Sequence, residues 1–256
     1  MTSLTALHRP DVHPLSSGYD PQWLVDHAMG PNPLWLLEDL SADLVLRPGM
    51  QVLDLGCGTG LTSVFLAREH GVHVQAAEHW LPAEDNAARF RDAGVDDRVR
   101  AVAAEAHDLP FERGRFDAVI GVDSYHYFGT DDLYIGYITQ FLAPGGQLAV
   151  AVPSLRRELR ELGGIPQHLR AGIGWEALSL HTADWWRFQW EQSGLVEIVA
   201  ARPQPRGWDD WRLWCEVCAE HASNEDVRQA SATEGGTLDA DGGELLTFAL
   251  VTGRVC

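Results

Sequence analysis

The chain has 256 residues, 45% of them hydrophobic, and a formal net charge of −18. That length accommodates one sizeable α/β domain with room for a small cap. A surface so negative repels phosphate backbones and anionic bilayers, so neither nucleic acid nor a membrane is an expected partner. All 19 positions counted as lysine or arginine are arginine, which excludes Schiff-base lysine chemistry and the lysine of a phosphate-gripping P-loop.

No run of about eighteen apolar residues is present to span a bilayer. Residues 1–14 lack the apolar core of a signal peptide, so a cytoplasmic location is expected. The cysteines, Cys57, Cys215, Cys218 and Cys256, are too few and too scattered for a disulfide framework. Cys215 and Cys218 form a Cys-x-x-Cys with no second ligand pair nearby, on a segment that reads as helix. Structural packing is the expectation there, and no metal is expected. A rival is thiol chemistry on a soft element such as arsenic.

In chain order, Pro10, Pro14, Pro21, Pro31 and Pro33 punctuate a loop-rich start. Residues 34–46 then read as an amphipathic helix, with Leu37, Leu40 and Leu44 at helical spacing. Strands and helices alternate after that. Strands are predicted at 51–55, 72–77, 99–103, 116–122 and 147–152, with helices at 61–69, 82–93 and 131–142. Such alternation implies right-handed βαβ crossovers, and so a parallel sheet with helices on both faces.

Residues 153–180 break the rhythm with Gly163, Gly164, Pro166, Gly172 and Gly174, and read as a cap after strand five. A helix from about 183 to 193, a sixth strand at 195–201 and a helix at 208–220 follow. Residues 222–243 are polar and read as a mobile loop. A last strand at 245–251 is expected to pair antiparallel with the sixth. The expected organisation is one domain: an N-terminal helical cover (1–47), a cofactor-binding core (48–152), a cap (153–181) and the C-terminal part of the sheet (182–256). The fold class is α/β, a Rossmann-like, mostly parallel seven-stranded sheet.

The loop Asp54-Leu55-Gly56-Cys57-Gly58-Thr59-Gly60 lies between the first strand and the next helix. Glycines there let the backbone approach a ligand closely, and the helix N-terminus offers unpaired N–H groups. A dinucleotide fingerprint needs Gly-x-Gly-x-x-Gly, but Leu61 stands at its third glycine position. The tighter Gly-x-Gly-x-Gly, with Asp54 two residues earlier, suits the methionine end of S-adenosylmethionine (SAM), whose ammonium Asp54 can hold directly or through water. Glu78, at the end of strand two, can accept both hydroxyls of a ribose. That feature serves SAM and NAD alike.

Val52 to Gly60 resembles the first motif of the class I SAM-dependent methyltransferases. Ala104-Glu105-Ala106-His107-Asp108-Leu109-Pro110-Phe111 is similar to the segment after strand three in their quinone-biosynthesis C-methyltransferase subgroup. The usual acid there is Asp, which bonds the adenine amino group; here it is Glu105. Phe116 to Ile120 and Leu142 to Gly146 resemble strands four and five of that fold. The resemblance spans roughly residues 45–152. It implies SAM as cofactor, S-adenosylhomocysteine as product, and cofactor contacts from Asp54, Gly56, Cys57, Gly58, Gly60, Glu78, His79, Glu105, Ala106 and Asp123. It also implies that Trp35, on the N-terminal helix, closes over the cofactor.

The family places the acceptor near the end of strand four, here Asp123-Ser124-Tyr125-His126-Tyr127-Phe128. It lacks the Asn-Pro-Pro-Tyr pattern of enzymes that methylate adenine or glutamine amides. His126 is the candidate general base, with Tyr125 and Tyr127 to orient the acceptor or face developing positive charge. Among the ten tryptophans, Trp185 and Trp186 are expected to line a substrate pocket with His181. The expected function is methyl transfer from SAM to a small organic molecule, a specialised metabolite by class. Two rivals stand beside it: a SAM-binding protein that does not methylate, and an NAD-dependent oxidoreductase.

Overall fold

Short aliphatic runs that alternate between two buried faces become strands. In the computed structural model, which describes residues 2–256, seven of them form one sheet. They are β1 (Gln51–Leu55), β2 (His73–Glu78), β3 (Val99–Ala103), β4 (Phe116–Val122), β5 (Leu142–Leu155), β6 (Val196–Pro203) and β7 (Leu246–Val255). The order is β3-β2-β1-β4-β5-β7-β6. β1 pairs in parallel with β2 and β4, and β7 runs antiparallel to both β5 and β6. The expected antiparallel last strand is therefore present, inserted between the fifth and sixth. The chain winds outward from β1 to β3 and then crosses back to β4, which puts a switch point beside the carboxyl end of β1.

The alternation along the strands sorts residues into two cores. Val52, Ala118, Ile120, Ala149 and Ala151 face one; Leu53, Val119, Leu148, Val150 and Val152 face the other. Helices α1 (Pro21–Asp26), α2 (Pro33–Ser41), α3 (Leu61–His70) and α8 (Gly207–His221) cover the first. Helices α5 (Tyr134–Ile138) and α7 (Ala183–Ser193) cover the second, with Trp186 and Trp190 fully buried. Removing a tryptophan side chain from such a core costs about 3–5 kcal/mol. Helix α4 (Ala83–Asp92) packs beside β3.

Local chemistry sets the helix ends. Asn32 accepts from the N–H groups of Leu34 and Trp35, with Pro33 pre-set at the first helical position. Thr182 caps α7 through Trp185 N. The helix expected over 34–46 ends at Ser41. The one expected over 131–142 shrinks to α5 and a 3₁₀ turn, Thr139–Phe141, because β5 starts at Leu142 and runs on to Leu155.

Residues 222–243 are not a loop. They form α9 (Glu225–Asp241), the longest helix among the described residues. Asn224 caps its first turn through Asp226 N, and Gly242 stops it at φ 60°. Few apolar residues mark a buried face, since Ser231, Thr237 and Asp241 share burial with Leu238. Small residues allow close approach instead. A Cβ on Gly235 would touch Cys215 of α8, and one on Gly172, in α6 (Gln167–Gly172), would overlap Thr237. The segment after β5 holds α6 and a 3₁₀ turn, Gly174–Ser179, and rests against α9.

Candidate active site

The glycine loop turns sharply at the end of β1. Gly56, Gly58 and Gly60 have φ of 74°, 54° and 86°, in the left-handed region that glycine enters without steric cost. Gly56 N and Cys57 N donate to Ala77 O at 2.9 and 3.1 Å. Gly58 N donates to Glu78 Oε2 at 2.8 Å, and Glu78 Oε1 accepts from the N–H groups of His79 and Trp80. Glu78 therefore locks the loop to the end of β2, with lone pairs left for further donors. Asn86 Nδ2 donates to Gly58 O at 2.8 Å, and Thr59 Oγ1 donates to His27 O at 2.7 Å.

Asp54 lies beneath the loop. Its Oδ2 accepts from Thr62 and Ser63, both at 2.6 Å, while Oδ1 is buried without a partner. Burial pushes its pKa up to about 6, against the pull of the two hydroxyls. Asp54 is 1% exposed and does not line the cavity that the loop borders.

A cavity of about 260 Å³ opens at the carboxyl ends of β1, β2 and β4. It is lined by Gly56, Cys57, Gly58, Glu78, His79, Ala106 and Asp123, together with Glu105 on its rim. Glu105 is exposed and holds His107 through both its N–H and Nδ1, at 2.8 and 2.9 Å; that hydrogen bonding holds its carboxyl below the usual range. Exposed Trp80 meets Tyr127 edge-on at the mouth, with ring centroids 5.6 Å apart.

A second, larger cavity of about 820 Å³ adjoins the first and shares Met29, Gly30, Pro31, Asp123 and Tyr127 with it. His126 lines its floor, and α9 with the segment 172–180 forms its far wall. Asp123 sits at the junction with φ 55°, the one non-glycine residue with positive φ among the described residues. Burial first, and the Glu234 carboxylate second, raise its pKa well above the usual range.

Several sequence-predicted residues stand elsewhere. Trp35 is 2% exposed and stacks on His13 inside the first core; residues 27–33 roof the cofactor cavity instead. Tyr125 is fully buried among Phe128, Tyr134, Trp186 and Trp190, so it cannot touch an acceptor. Trp186 belongs to the same core. His181 and Trp185 stack at 3.7 Å in a small hollow with Glu158 and line neither cavity, though the hollow shares Leu180 with the larger one. His126 does line the larger cavity, but burial lowers its pKa to about 4 and its Nδ1 has no partner. Gly60 shapes the loop without lining the cavity. Cys215 and Cys218 are buried in α8, where burial pushes both thiols far up; neither is a thiolate ready for a soft element.

Sequence reasoning missed the 27–31 segment, Ser124 and Glu234. Ser124 Oγ donates to Leu55 O at 2.6 Å, and a Cβ on Gly56 would come within 2.5 Å of Ser124 Cβ. A short glycine–proline run and a polar helix carry no one-dimensional signature of a cavity wall.

The loop, the acid ending β2 and the end of β4 stand together in one contiguous segment. Residues 52–146 match the family model described as a methyltransferase domain. This segment belongs to the class I methyltransferases. The methyltransferase core is 33% identical over 117 residues to "Methyltransferase GfsG" of Streptomyces halstedii, a match covering 45% of this chain and 42% of that protein. It is 34% identical over 119 residues to a 27-O-demethylrifamycin SV methyltransferase of Amycolatopsis mediterranei (strain S699), covering 45% and 43%. The match thus spans less than half the length of either relative. Whole-chain fold likeness is broader. A SAM-dependent methyltransferase from Geobacter sulfurreducens in complex with S-adenosylhomocysteine aligns over 98% of this chain and 100% of its own, with TM-score 0.67 and 20% identity. The [4+2]-cyclase SpnF aligns over 100% and 97%, with TM-score 0.69 and 21% identity. No helix among the described residues is long and apolar enough to cross a membrane.

Proposed function

We propose that the protein binds SAM in the glycine-loop cavity and transfers its methyl group to a small organic acceptor, a specialised metabolite by class, in the adjoining larger cavity. The observation that carries this reading is the junction. The two cavities meet at Met29, Gly30, Pro31, Asp123 and Tyr127, directly above the switch point. SAM supplies an activated methyl group when bound, so alignment and exclusion of water contribute most of the catalysis.

The residues present fit that cofactor. The backbone of residues 56–60 leaves room that side chains would fill. Glu78 keeps acceptor lone pairs for ribose hydroxyls, and the unpaired Oδ1 of Asp54 places negative charge behind the methionine subsite. Glu105 and Ala106 border the adenine end. Tyr127 lines both cavities, and an aromatic π-face there favours developing positive charge. Its phenol is pushed up to about 12, chiefly by burial, and stays protonated. His126 is neutral at pH 7 and lines the acceptor side, where it can receive a proton.

One relative is named for a small organic acceptor, 27-O-demethylrifamycin SV, which supports a small acceptor. No arginine lines either cavity, which supports excluding nucleic acid. We assign the protein to the cytoplasm, consistent with four unpaired cysteines; of the cap expected over 153–181, residues 153–155 are the end of β5, and we read the remainder as the cap of the acceptor cavity. A fold does not fix a chemistry, as the likeness to a cyclase illustrates.

The test is calorimetric titration with SAM, S-adenosylhomocysteine and NAD, followed by an assay of S-adenosylhomocysteine release with candidate acceptors. Binding of the first two and turnover are expected. Binding of NAD alone would overturn the reading. Tight SAM binding with no release across an acceptor panel would favour the non-methylating role.

A further inference from the structure

The larger cavity is acidic from rim to floor. Asp226 and Glu176 stand exposed at its edge, and Glu234 and Asp123 lie half-buried deeper in. Among the described residues, no arginine forms an ion pair with Glu234 or Asp123, and no arginine lines the cavity. Glu234 Oε2 accepts from Cys215 Sγ at 3.3 Å, a weak donor, and burial without a nearby cation raises the carboxyl's pKa. The two carboxylates are close enough for Glu234 to act electrostatically on Asp123.

His126 supplies a second, independent observation. It is 5% exposed, lines the same cavity, and has a ring nitrogen without a partner. Half-buried charges without a counter-ion are costly unless something pairs with them. The protein supplies no cation, so each carboxyl either takes up a proton, the direction in which burial drives both, or pairs with a cationic occupant. A volume of about 820 Å³ is the size of a pocket for a drug-sized molecule.

Resting on the reading that this cavity is the acceptor chamber, we propose that the acceptor is an organic cation, a molecule bearing a protonated amine, whose ammonium is held by Glu234 with Asp123 beyond it. Glu234 is then a specificity-determining residue, contributed by a helix outside the family-matching segment. Its position on α9 sets it apart from the cofactor's own contacts. The apolar remainder of the acceptor lies against Ile173, Leu180, Trp211 and Leu246.

The test uses the wild-type protein saturated with S-adenosylhomocysteine and three matched series of arylalkyl probes with one, two or three fused rings. Each probe ends in a primary amine, an alcohol or a carboxylate. Binding is read by thermal shift and then by calorimetry. Amines are expected to bind at least about tenfold more tightly than their alcohols, and carboxylates not at all. Glu234→Gln is expected to remove that preference while keeping the affinity for S-adenosylhomocysteine. Alcohols or carboxylates binding as well as amines, or no amine binding, would overturn the proposal. So would an amine preference that survives Glu234→Gln in a folded protein. Failure of S-adenosylhomocysteine to bind the wild type sinks the cofactor reading instead, and the amine series on the apoprotein still reports on the cavity.

Discussion

The Asp123 carboxylate rests directly against the backbone of Gly30, so that a methyl group on Gly30 would overlap Asp123 Oδ2. Gly30 is held there by its own carbonyl, which accepts from Trp214 Nε1 at 2.7 Å. The N-terminal segment, α8 and the end of β4 are thereby tied together where the two cavities join. Gly30→Ala must push the carboxylate aside or move the segment. A loss of stability of about 1–3 kcal/mol is expected from this overpacking, with weaker binding of S-adenosylhomocysteine. Thermal unfolding and calorimetry check both. An unchanged melting temperature with unchanged affinity would show that the segment yields freely and does not shape the site.

Gly58 gives a sharper test of the loop. Its φ is 54°, and a Cβ there would stand 3.0 Å from Met29 Sδ. A β-branched residue resists that backbone and fills the roofed space. Gly58→Val is expected to abolish SAM binding while circular dichroism shows a folded chain. Full affinity in a folded variant would remove the loop from the cofactor site.

The glycine loop and the acid ending β2 were legible because their signal is one-dimensional. Three alternate glycines between a strand and a helix, and an acid ending the next strand, occupy fixed spacings set by backbone geometry. The positions of the tryptophans were not. Trp35 read as a cover for the cofactor and Trp186 as a pocket wall, because an indole suits a ligand and a core equally, and only packing decides. Tyr125 and Tyr127 are two residues apart, yet one is fully buried and the other 57% exposed. A 3₁₀ turn at Tyr125–Tyr127 aims them differently, and residue type alone does not show that turn. Helix α9 was misread because it buries small and polar groups against α8 and a cavity, so no apolar stripe marks it. The antiparallel β7 was legible from an excursion followed by a strand-like run.

The unpaired oxygen of Asp54 links cofactor binding to protons. Its raised folded pKa, about 6, means that the stability it contributes is present below the unfolded value and lost as pH rises through about 6. A cationic ligand nearby favours the ionised form. SAM binding at pH 6 is therefore expected to release a fraction of a proton, and binding at pH 8 none. Calorimetry in two buffers of different ionisation enthalpy measures this directly. Asp54→Asn should abolish the release and weaken SAM by roughly tenfold. Asp123 also titrates high, so a release that persists in Asp54→Asn would assign the proton to Asp123. Equal enthalpies in both buffers at pH 6 would sink the linkage altogether.

His126 predicts an acid-side instability with the opposite sign. Burial lowers its pKa from the usual 6.5 to about 4, so the unfolded chain binds the proton across that window and the folded chain does not. Stability is then full above about 6.5 and falls with decreasing pH, by about 3 kcal/mol in all once pH is below 4. Asp54 moves the other way over much of the same range, so the wild-type curve alone mixes the two. Comparison with His126→Gln isolates the imidazole. The variant is expected to lose at most a little stability at pH 7.5, yet to gain about 2 kcal/mol on the wild type by pH 5, measured by urea unfolding. Parallel pH profiles would mean that the imidazole is protonated in the folded state at pH 5. A carboxylate of the acceptor cavity would then be its partner, and the neutral base assigned here would give way to a cation.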